Sequence, residues 1–308
     1  MELITRKYMQ MLTILRVLGC FKITKIPKVK GAIYSYYSKK VTRMYNNISK
    51  IKDSDRTDNT KSIISLTSYG VRINKVHITL DSIFSQSIRP YKVILWLSED
   101  EFNIETIPIE LKIRLSQYKN FDIGFCEDLK PHKKYYETML RYGNHNIITA
   151  DDDVFYPVDW LETLLELHKD YPYAIVCNNA HKMTILNGAI NCYEKWQFLT
   201  KETGPSLLLC PVGVGGVLYP PGTLHHDLYN KDLIKSTCLY ADDLWLKTMG
   251  LLNRTKVVNS NKYSYTFLSI DGSKETALSN NNVIGGGNNL QLHNIMKIYK
   301  SKIEDILR

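Results

Sequence analysis

The sequence predicts an α/β protein with a mostly parallel sheet flanked by helices and with an antiparallel insertion. From residue 61 to about 270, short apolar runs typical of buried strands alternate with segments whose apolar residues repeat at helical spacing. Such alternation indicates a parallel sheet covered on both faces. An Asn-Gly pair at 187–188 separates two strand-like runs, which is typical of a β-hairpin. The chain of 308 residues is 44% apolar and 23% charged, as in ordinary globular proteins.

The individual elements follow in chain order. Apolar runs predict strands at 63–66, 93–97, 121–125 and 146–150. Helical spacing predicts helices near 76–84, 133–142 and 160–167, and a closing helix from Leu292 to Ile306. The hairpin falls within 182–193. The asparagines and glycines of 280–289 predict a mobile loop before the closing helix, and we find no internal repeat.

The positive charge of the chain lies in its first part. The whole sequence has a net charge of +9, but residues 1–56 contain 13 basic and three acidic residues, which is +10. The other 252 residues are therefore close to neutral, at −1. A nucleic-acid-binding groove needs clustered positive charge where the ligand lies, so the main domain is not expected to bind nucleic acid.

Residues 1–60 predict a basic N-terminal extension, for which two interpretations remain open. Apolar residues within 11–18 suit one face of a short helix, and Tyr34, Tyr36 and Tyr37 precede two lysines. Basic and aromatic residues together suit an anionic membrane surface. The alternative is a helical subdomain that packs on the body with a solvated basic face. The polar run 53–60 predicts a linker to the main domain.

The cysteines and the apolar segments favour a cytoplasmic protein. Six cysteines are scattered without a CxxC pair, which argues against a zinc ribbon and favours reduced thiols. The first twenty residues are not a persuasive signal peptide, because Arg16 interrupts their apolar run. No window approaches the ~20 apolar residues that a membrane-spanning helix needs. We expect a cytoplasmic location, with peripheral attachment to the inner face of the membrane as the open alternative.

Three consecutive carboxylates, Asp151, Asp152 and Asp153, follow directly after the predicted strand 146–150. Adjacent carboxylates repel one another unless a cation or dense hydrogen bonding compensates. Ligands of open α/β sheets bind at the carboxyl ends of the strands, which is where these residues fall. Hard oxygen ligands of this kind select Mg²⁺ or Mn²⁺. The alternative is a solvated acidic turn.

A second acidic pair, Asp242 and Asp243, begins a predicted helix. One of these carboxylates alone is also typical of an ordinary helix N-cap. The preceding segment, 210–222, carries glycines within a strand-like run. Such glycines indicate either the close approach of another group or a bulge in the strand. The adjacent His225, His226 and Asp227 look like metal ligands, but adjacent side chains of an extended chain point to opposite sides, which argues against them.

These segments together resemble the GT-A glycosyltransferases. The resemblance rests on Thr67-Ser68-Tyr69 after the first strand, on Ser82-Ile83-Phe84-Ser85-Gln86 in the first helix, and on the aspartate triplet as a DxD motif. Gly215-Gly216-Val217-Leu218-Tyr219, followed by Ala241-Asp242-Asp243, is similar to the glycine-rich strand and acidic pair of inverting members. The resemblance extends from about residue 62 to 252. More narrowly, the chain looks like bacterial family 2-like glycosyltransferases that build surface polysaccharide.

The resemblance implies a role for each matching residue. Asp151 and Asp153 would bind Mn²⁺ or Mg²⁺ at the nucleotide diphosphate, and Asp243, together with Asp242, would supply the general base. The implied nucleotide-sugar-binding residues are Thr67, Ser68, Tyr69, Arg72 and Asp152, with Asp152 facing the ribose or sugar. Lys134 is added from its position before the triplet strand, where it is expected to reach the diphosphate or the acceptor; the alternative is a solvated helix start. Gly215, Gly216 and Tyr219 would contact the acceptor or the sugar.

The sequence therefore predicts three parts: the extension 1–60, a GT-A (Rossmann-like) catalytic domain at 61–270, and a loop with a C-terminal helix at 271–308. The expected function is metal-dependent transfer of a sugar, with inversion, from a nucleotide sugar to a saccharide or lipid-linked saccharide. Two alternatives remain open. A metal-dependent nucleotidyl- or phosphotransferase would use the same aspartates, whereas a non-catalytic carbohydrate-binding protein would need no metal.

Overall fold

A computed structural model of the chain describes residues 27–46, 56–263, 267–272 and 286–308. The helices of this part are α1 (Pro27–Asn46), α2 (Val76–Phe84), α3 (Ile109–Gln117), α4 (Lys133–Arg141), α5 (Trp160–Asp170), α6 (Lys231–Thr237), α7 (Asp242–Leu252) and α8 (Gly287–Leu307). The strands are β1 (Ile63–Thr67), β2 (Lys92–Ser98), β3 (Phe121–Cys126), β4 (Ile147–Thr149), β5 (Val154–Phe155), β6 (Ile175–Cys177), β7 (Ala180–Lys182), β8 (Ile185–Leu186), β9 (Ala189–Ile190), β10 (Leu209–Pro211), β11 (Val217–Tyr219), β12 (Val257–Asn259) and β13 (Leu268–Ser269).

The central sheet has the predicted, mostly parallel arrangement. Within the described residues, seven strands pair in the order β12-β6-β11-β4-β1-β2-β3. The pairs β1–β2, β1–β4, β2–β3 and β6–β12 are parallel, and β11 runs antiparallel to both of its neighbours. Helices cover both faces, and short antiparallel pairs are added outside this sheet. The α/β class with an antiparallel insertion is confirmed.

The strands are apolar at successive positions because both faces of the sheet are covered. Side chains of a strand alternate between the two faces. In β1, Ile63 therefore packs in the core on the side of α4, α7 and α8, whereas Ile64 and Leu66 pack on the side of α2, α3 and α5. Continuous apolar runs of this kind are the expected pattern of buried parallel strands.

Helix α4 is anchored beneath the sheet by a small buried polar network. The indole Nε1 of Trp96 donates to Oγ1 of Thr138 at 2.6 Å, and this hydroxyl also pairs with Oγ of Ser65 at 2.6 Å. The Trp96 ring fits only because residue 124 is glycine, since a Cβ there would lie 2.2 Å from the ring. These contacts fix the position of α4, whose first turn carries Lys134.

The predicted hairpin is confirmed. Strands β8 and β9 pair antiparallel across Asn187 and Gly188, which have φ of 51° and 79°. Two successive residues with positive φ are the signature of a type I′ turn, which matches the twist of a two-stranded ribbon.

Helix α1 packs on the body. For this part of the basic extension, the packing favours the interpretation as a helical subdomain. Tyr34, Tyr37 and Val41 are buried against Phe155 and against residues of α2 and β13. Two of the three tyrosines are thus turned away from solvent, and only Tyr36 is exposed, at 58%. The helix predicted within 11–18 lies outside the described residues. The described helices include none that is long and apolar enough to cross a bilayer.

Two predicted loops differ from the structure. In the described part of the predicted linker, Asp58 is buried and its carboxylate accepts from the amides of Thr60 and Ser62. Residues 56–60 are therefore folded against the body, because a buried carboxylate holds their backbone. Residues 280–285 of the predicted mobile loop lie outside the described residues, and residues 287–289 form the first turn of α8. The described cysteines, Cys126, Cys177, Cys192, Cys210 and Cys238, all have free thiols.

We predict that replacing Gly124 with alanine destabilises the fold. The added Cβ would overlap the ring of Trp96, which is held by its hydrogen bond to Thr138. Overpacking of this kind lowers the free energy of unfolding by about 1–3 kcal/mol, measurable by urea denaturation. The matched control is Gly31→Ala, in α1, where a Cβ would meet no atom within 4 Å. The control should be neutral or stabilising by up to about 1 kcal/mol. Equal stability of the two variants would contradict the packing argument.

Candidate active site

The two acidic clusters line one cleft. The cleft has a volume of about 550 Å³ and lies at the carboxyl ends of β1 and β4, where ligands of α/β sheets bind. The predicted site residues that line it are Thr67, Tyr69, Arg72, Lys134, Asp151, Asp152, Asp153, Asp242 and Asp243. Segments separated by some ninety residues in sequence therefore face the same space.

The middle aspartate of the triplet is turned into the protein. The Asp152 side chain is 5% exposed, and its carboxylate pairs with the guanidinium of Arg72 and accepts from Oγ of Ser68 at 2.5 Å. Its backbone carbonyl accepts from Oγ1 of Thr79 at 2.9 Å. Asp152 was expected to face the ribose or sugar. The structure instead assigns its carboxylate to holding Arg72 and Ser68.

The outer aspartates face the cleft. The side chains of Asp151 and Asp153 are 29% and 16% exposed, and both residues line the cleft. Burial, opposed by the nearby Arg72 guanidinium, raises the pKa of Asp153 to about 7. The carboxylates of Asp152 and Asp151 raise the pKa of Asp153 further, so repulsion between like charges adds to the effect of burial.

Lys134 joins the two acidic clusters. Its Nζ lies 2.8 Å from Oδ1 of Asp151 and 2.9 Å from Oδ2 of Asp242. Burial alone would lower the pKa of Lys134, but Asp151 and Asp242 outweigh it and raise this pKa well above its usual value. The lysine is therefore a permanent cation between the triplet and the later doublet.

Asp242 and Asp243 occupy the first turn of α7, after Ala241 at the N-cap. Neither side chain caps the helix, so the ordinary N-cap interpretation does not hold. Oδ2 of Asp243 accepts from the amide of Gly213 at 2.9 Å. Burial and the adjacent Asp242 raise the pKa of Asp243 to about 7. A carboxylate with this pKa is suited to accept a proton near neutrality.

A buried histidine joins the helix that carries Lys134 to the segment before the doublet. Nδ1 of His132 lies 2.8 Å from the Tyr135 hydroxyl, and Nε2 lies 2.8 Å from the carbonyl of Cys238. A carbonyl only accepts, so the proton is on Nε2 and the tyrosine donates to Nδ1. Burial lowers the pKa of His132 to about 4, which keeps the ring neutral.

The ligand chemistry of the cleft suits a divalent cation, although among the described residues the group that brings three ligand atoms within 4.8 Å of one another is His225-His226-Asp227. Asp151, Asp152, Asp153, Asp242 and Asp243 are five carboxylates, whereas Arg72 and Lys134 are the two cations that pair with them. With all five carboxylates ionised the surplus is three negative charges, two of which a divalent ion would neutralise; without a cation, the pKa of about 7 for Asp153 and Asp243 leaves part of this charge protonated. Carboxylate oxygens are the ligands that Mg²⁺ and Mn²⁺ prefer, and Asp151 and Asp153 both reach the cleft.

The remaining residues of the first loop have mainly positioning contacts. Thr67 donates its hydroxyl to the carbonyl of Trp96 at 2.8 Å, and Ser68 is buried against Asp152. The guanidinium of Arg72 lies over the ring of Tyr69, 5.3 Å from its centroid, and pairs with Asp153 at 3.0 Å. Thr67, Tyr69 and Arg72 line the cleft.

The structure does not bring Gly215, Gly216 and Tyr219 to the cleft, so their predicted contact with acceptor or sugar needs correction. A Cβ on Gly216, whose φ is 83°, would lie 2.5 Å from the Trp160 ring, and one on Gly215 would lie 3.1 Å from Asn179. Tyr219 is buried, does not line the cleft and pairs with Ile147 at the start of β4, although burial and then Asp243 and Asp242 raise the pKa of its phenol. Because Gly215 and Gly216 lack a Cβ, the side chains of Asn179 and Trp160 can pack against their backbone. Gly213 is the glycine that contacts a site residue, Asp243.

Several residues that line the cleft were missed in the sequence, and three of them form one wall. His181 in β7, Tyr193 after the hairpin and Asn288 in α8 line its wall. Each comes from a different segment, and no local pattern connects them. The predicted hairpin was the one signal in the sequence for these wall residues. It is inserted after a strand that ends next to the site, and such an insertion lies over the site.

The His225-His226-Asp227 cluster is more compact than expected. The segment enters a short 3-10 turn, so the two rings lie 4.0 Å apart and ligand atoms of all three residues lie within 4.8 Å. The argument from an extended chain was therefore wrong. The cluster does not line the cleft that holds the aspartates.

The comparisons with known proteins give distant structural likenesses. No protein-family model and no curated protein matches the sequence. Among solved structures, Staphylococcus aureus TarS (residues 1–349) is 15% identical, with a TM-score of 0.42 over 68% of this chain and 59% of that one.

Two further solved structures are similar at the same level. A mannosyltransferase from Pyrobaculum calidifontis, in complex with GDP-Man and Mn²⁺, is 12% identical, with a TM-score of 0.39 over 73% of this chain and 61% of that one. A 4-diphosphocytidyl-2C-methyl-D-erythritol synthase is 13% identical, with a TM-score of 0.38 over 70% of this chain and 97% of that one. The chain thus spans about three fifths of the first two proteins. At these values the likenesses do not decide a function.

We predict that His132 makes the stability of the site depend on pH. A histidine whose pKa falls to about 4 on folding contributes stability that is complete above about pH 6.5 and is lost between there and pH 4. The full contribution is about 3 kcal/mol. His132→Gln should be less stable than the parent at pH 7, and the difference should shrink towards pH 4 in urea denaturation. His226→Gln, at a side chain that is 84% exposed, is the matched control and should leave the slope unchanged. A constant difference for His132→Gln would contradict the prediction.

Proposed function

We propose that the protein is a metal-dependent glycosyltransferase of the GT-A type. It would transfer a sugar from a nucleotide-sugar donor to a saccharide or lipid-linked saccharide, with inversion. The observation that carries the proposal is one cleft that is lined by Asp151, Asp153 and Asp243 and in which Lys134 pairs with both Asp151 and Asp242. Transfer of a sugar needs stabilisation of a leaving diphosphate and removal of a proton from an acceptor hydroxyl, and the cleft supplies candidates for both.

The donor side of the proposed mechanism lies at the triplet. Asp151 and Asp153 would hold Mn²⁺ or Mg²⁺, which when bound acts as a Lewis acid towards the diphosphate. Lys134 places a fixed positive charge beside Asp151, and Arg72 places another beside Asp153. Such preorganised charges stabilise a developing anion without reorganising during the reaction. Tyr69 and Thr67 line the same end of the cleft and are proposed to contact the nucleotide.

The acceptor side lies at the doublet. Asp243 would accept the proton of the acceptor hydroxyl, since its pKa of about 7 leaves much of it ionised and basic at neutral pH. Asp242 is paired with Lys134 and is proposed to position that lysine. The Gly213 amide orients the Asp243 carboxylate. These roles separate proton transfer from diphosphate binding.

The acceptor and its cellular place are a finer part of the proposal. The resemblance in sequence supports synthesis of a bacterial surface polysaccharide such as capsule or lipopolysaccharide. The protein would act in the cytoplasm, either free or peripheral on the inner face of the membrane. The outward side of α1 supports the second location, because Lys39 and Arg43 are exposed there beside Tyr36.

We predict that Asp151→Asn and Asp153→Asn weaken metal-dependent nucleotide binding by tenfold or more. Each change removes a charged ligand oxygen and leaves the side-chain volume unchanged. UDP, GDP and CDP are titrated calorimetrically with and without Mn²⁺, and a panel of nucleotide sugars is scored for slow hydrolysis. The matched control is Asp122→Asn on β3, whose exposed carboxylate pairs with Lys92 and does not line the cleft. Absence of any nucleotide response in the parent protein would refute the proposal. Release of pyrophosphate in place of a nucleoside diphosphate would support a nucleotidyltransferase instead.

We predict that Asp243→Asn abolishes sugar transfer but preserves nucleotide binding. The amide cannot accept the proton, whereas its carbonyl oxygen still accepts from Gly213. In the parent protein, the rate of donor turnover should rise with pH through about 7, as Asp243 loses its proton. The variant should lose at least 10²-fold in rate at pH 7.5. A variant with the parental rate and pH profile would exclude Asp243 as the base.

A further inference from the structure

His181 presents a hydrogen-bond donor of fixed tautomer to the cleft. The backbone amide of Leu199 donates to Nδ1 of His181 at 3.0 Å. An amide only donates, so Nδ1 carries no proton and the neutral ring carries its proton on Nε2. Because Nδ1 accepts from Leu199, Nε2–H is the donor that this ring can offer; the ring lines the cleft and also has a backbone contact with Ala180 that opposes the effect of burial on its pKa.

His181 is not suited to act as the base. Burial lowers the pKa of His181 to about 4, so the ring stays neutral at ordinary pH. Its unprotonated nitrogen is engaged by Leu199 and cannot take a proton from a substrate. The residue can donate a hydrogen bond, and it can present one edge of an aromatic ring.

The surroundings of His181 form a rigid wall with aromatic faces. The ring of Phe198 lies 4.7 Å from that of His181, and Tyr193 lies 5.3 Å from Phe198 and 5.0 Å from Trp196. The hydroxyl of Tyr193 is hydrogen-bonded to the side chain of Asn288. The Tyr193 amide also donates to Oδ1 of Asn289 at 2.7 Å. The hairpin and α8 are thus tied together at the cleft.

The wall stands on the Asp243 side of the cleft. His181 pairs with Cys210 across the antiparallel strands β7 and β10, so both side chains share a face. The chain continues from Cys210 to Gly213, whose amide binds Asp243. Burial raises the pKa of the Tyr193 phenol, and Cys210 and Asp243 are close enough to raise it further. The triplet lies across the cleft, at the end of β4.

We propose that His181, Tyr193 and Asn288 form the subsite for the acceptor saccharide. This inference rests on the proposed function, in which the acceptor hydroxyl must reach Asp243. Aromatic surface next to a few fixed polar groups is the chemistry that binds a pyranose, since its C–H faces are apolar and its hydroxyls need hydrogen-bond partners. The Nε2–H of His181 donates to a hydroxyl oxygen of that sugar.

Two substitutions at position 181 separate a role in the cleft from a role in packing. His181→Asn places an amide oxygen near the Nδ1 position, so it keeps the bond from Leu199 and loses the donor to the cleft. His181→Gln places an amide near the Nε2 position, so it keeps a donor and loses the bond from Leu199. The control is His226→Asn, a surface histidine outside the cleft.

The probes are UDP and GDP with Mn²⁺ for the donor side, and methyl α- and β-pyranosides of glucose, galactose, rhamnose and N-acetylglucosamine for the wall. Saccharide Kd is measured by saturation-transfer NMR with the nucleotide bound, and nucleotide Kd by calorimetry. We expect His181→Asn to weaken saccharide binding about tenfold, the effect of one good hydrogen bond, and His181→Gln to stay within about threefold of the parent. Nucleotide Kd should be unchanged in both variants. Asn288→Ala should weaken the same saccharides and spare the nucleotide.

Each other result would overturn the proposal in a distinguishable way. If His181→Gln bound saccharides more weakly than His181→Asn, the role of His181 would be in packing alone. A change in nucleotide Kd would place the wall on the donor side. Nucleotide binding without any saccharide binding in the parent would remove the subsite and leave the proposed function standing, whereas no nucleotide binding would remove the proposed function itself.

Discussion

Repulsion among carboxylates is the constraint around which this cleft is organised. Asp151, Asp153, Asp242 and Asp243 come from two segments that could not approach one another without compensation. Lys134 provides it, because its ammonium group lies within 3 Å of a carboxylate from each cluster. The lysine is held in turn by α4, which the Trp96-Thr138-Ser65 network fixes under the sheet. Core packing far from the cleft therefore determines the distance between the two acidic clusters.

The fold class and the main chemical groups of the site could be predicted from the sequence. Periodicity identified the strands because their apolar runs are continuous, and continuous runs arise when both faces of a sheet are covered. The triplet was found because it directly follows such a strand, and a strand end has a known place in an α/β sheet. For Asp242 and Asp243 the sequence supplied position and type, and their distance from the triplet came only with the structure.

Other features could not be predicted, because they depend on contacts between distant segments. The inward turn of Asp152 depends on Arg72 and Ser68, which are some eighty residues earlier in the chain. The glycines at 215 and 216 suggested ligand contact, yet their neighbours are Trp160 and Asn179 in the core. The wall of His181, Tyr193 and Asn288 combines three elements without a shared motif. The residue type determines the chemistry that a side chain can perform, whereas tertiary packing determines which groups that side chain contacts.

The reversed direction of β11 separates the two ends of the sheet chemically. Residues just before this strand reach the front edge, near Asp243, while the chain that leaves it at Tyr219 emerges at the back, beside the start of β4. The histidine pair at 225 and 226 belongs to that rear surface, where a small cavity of about 90 Å³ is lined by Ile147 and Tyr219. The rear surface is thus separate from the aspartate cleft, and the last helix contacts both, through Tyr299 at Asp227 and through Asn288 at the cleft.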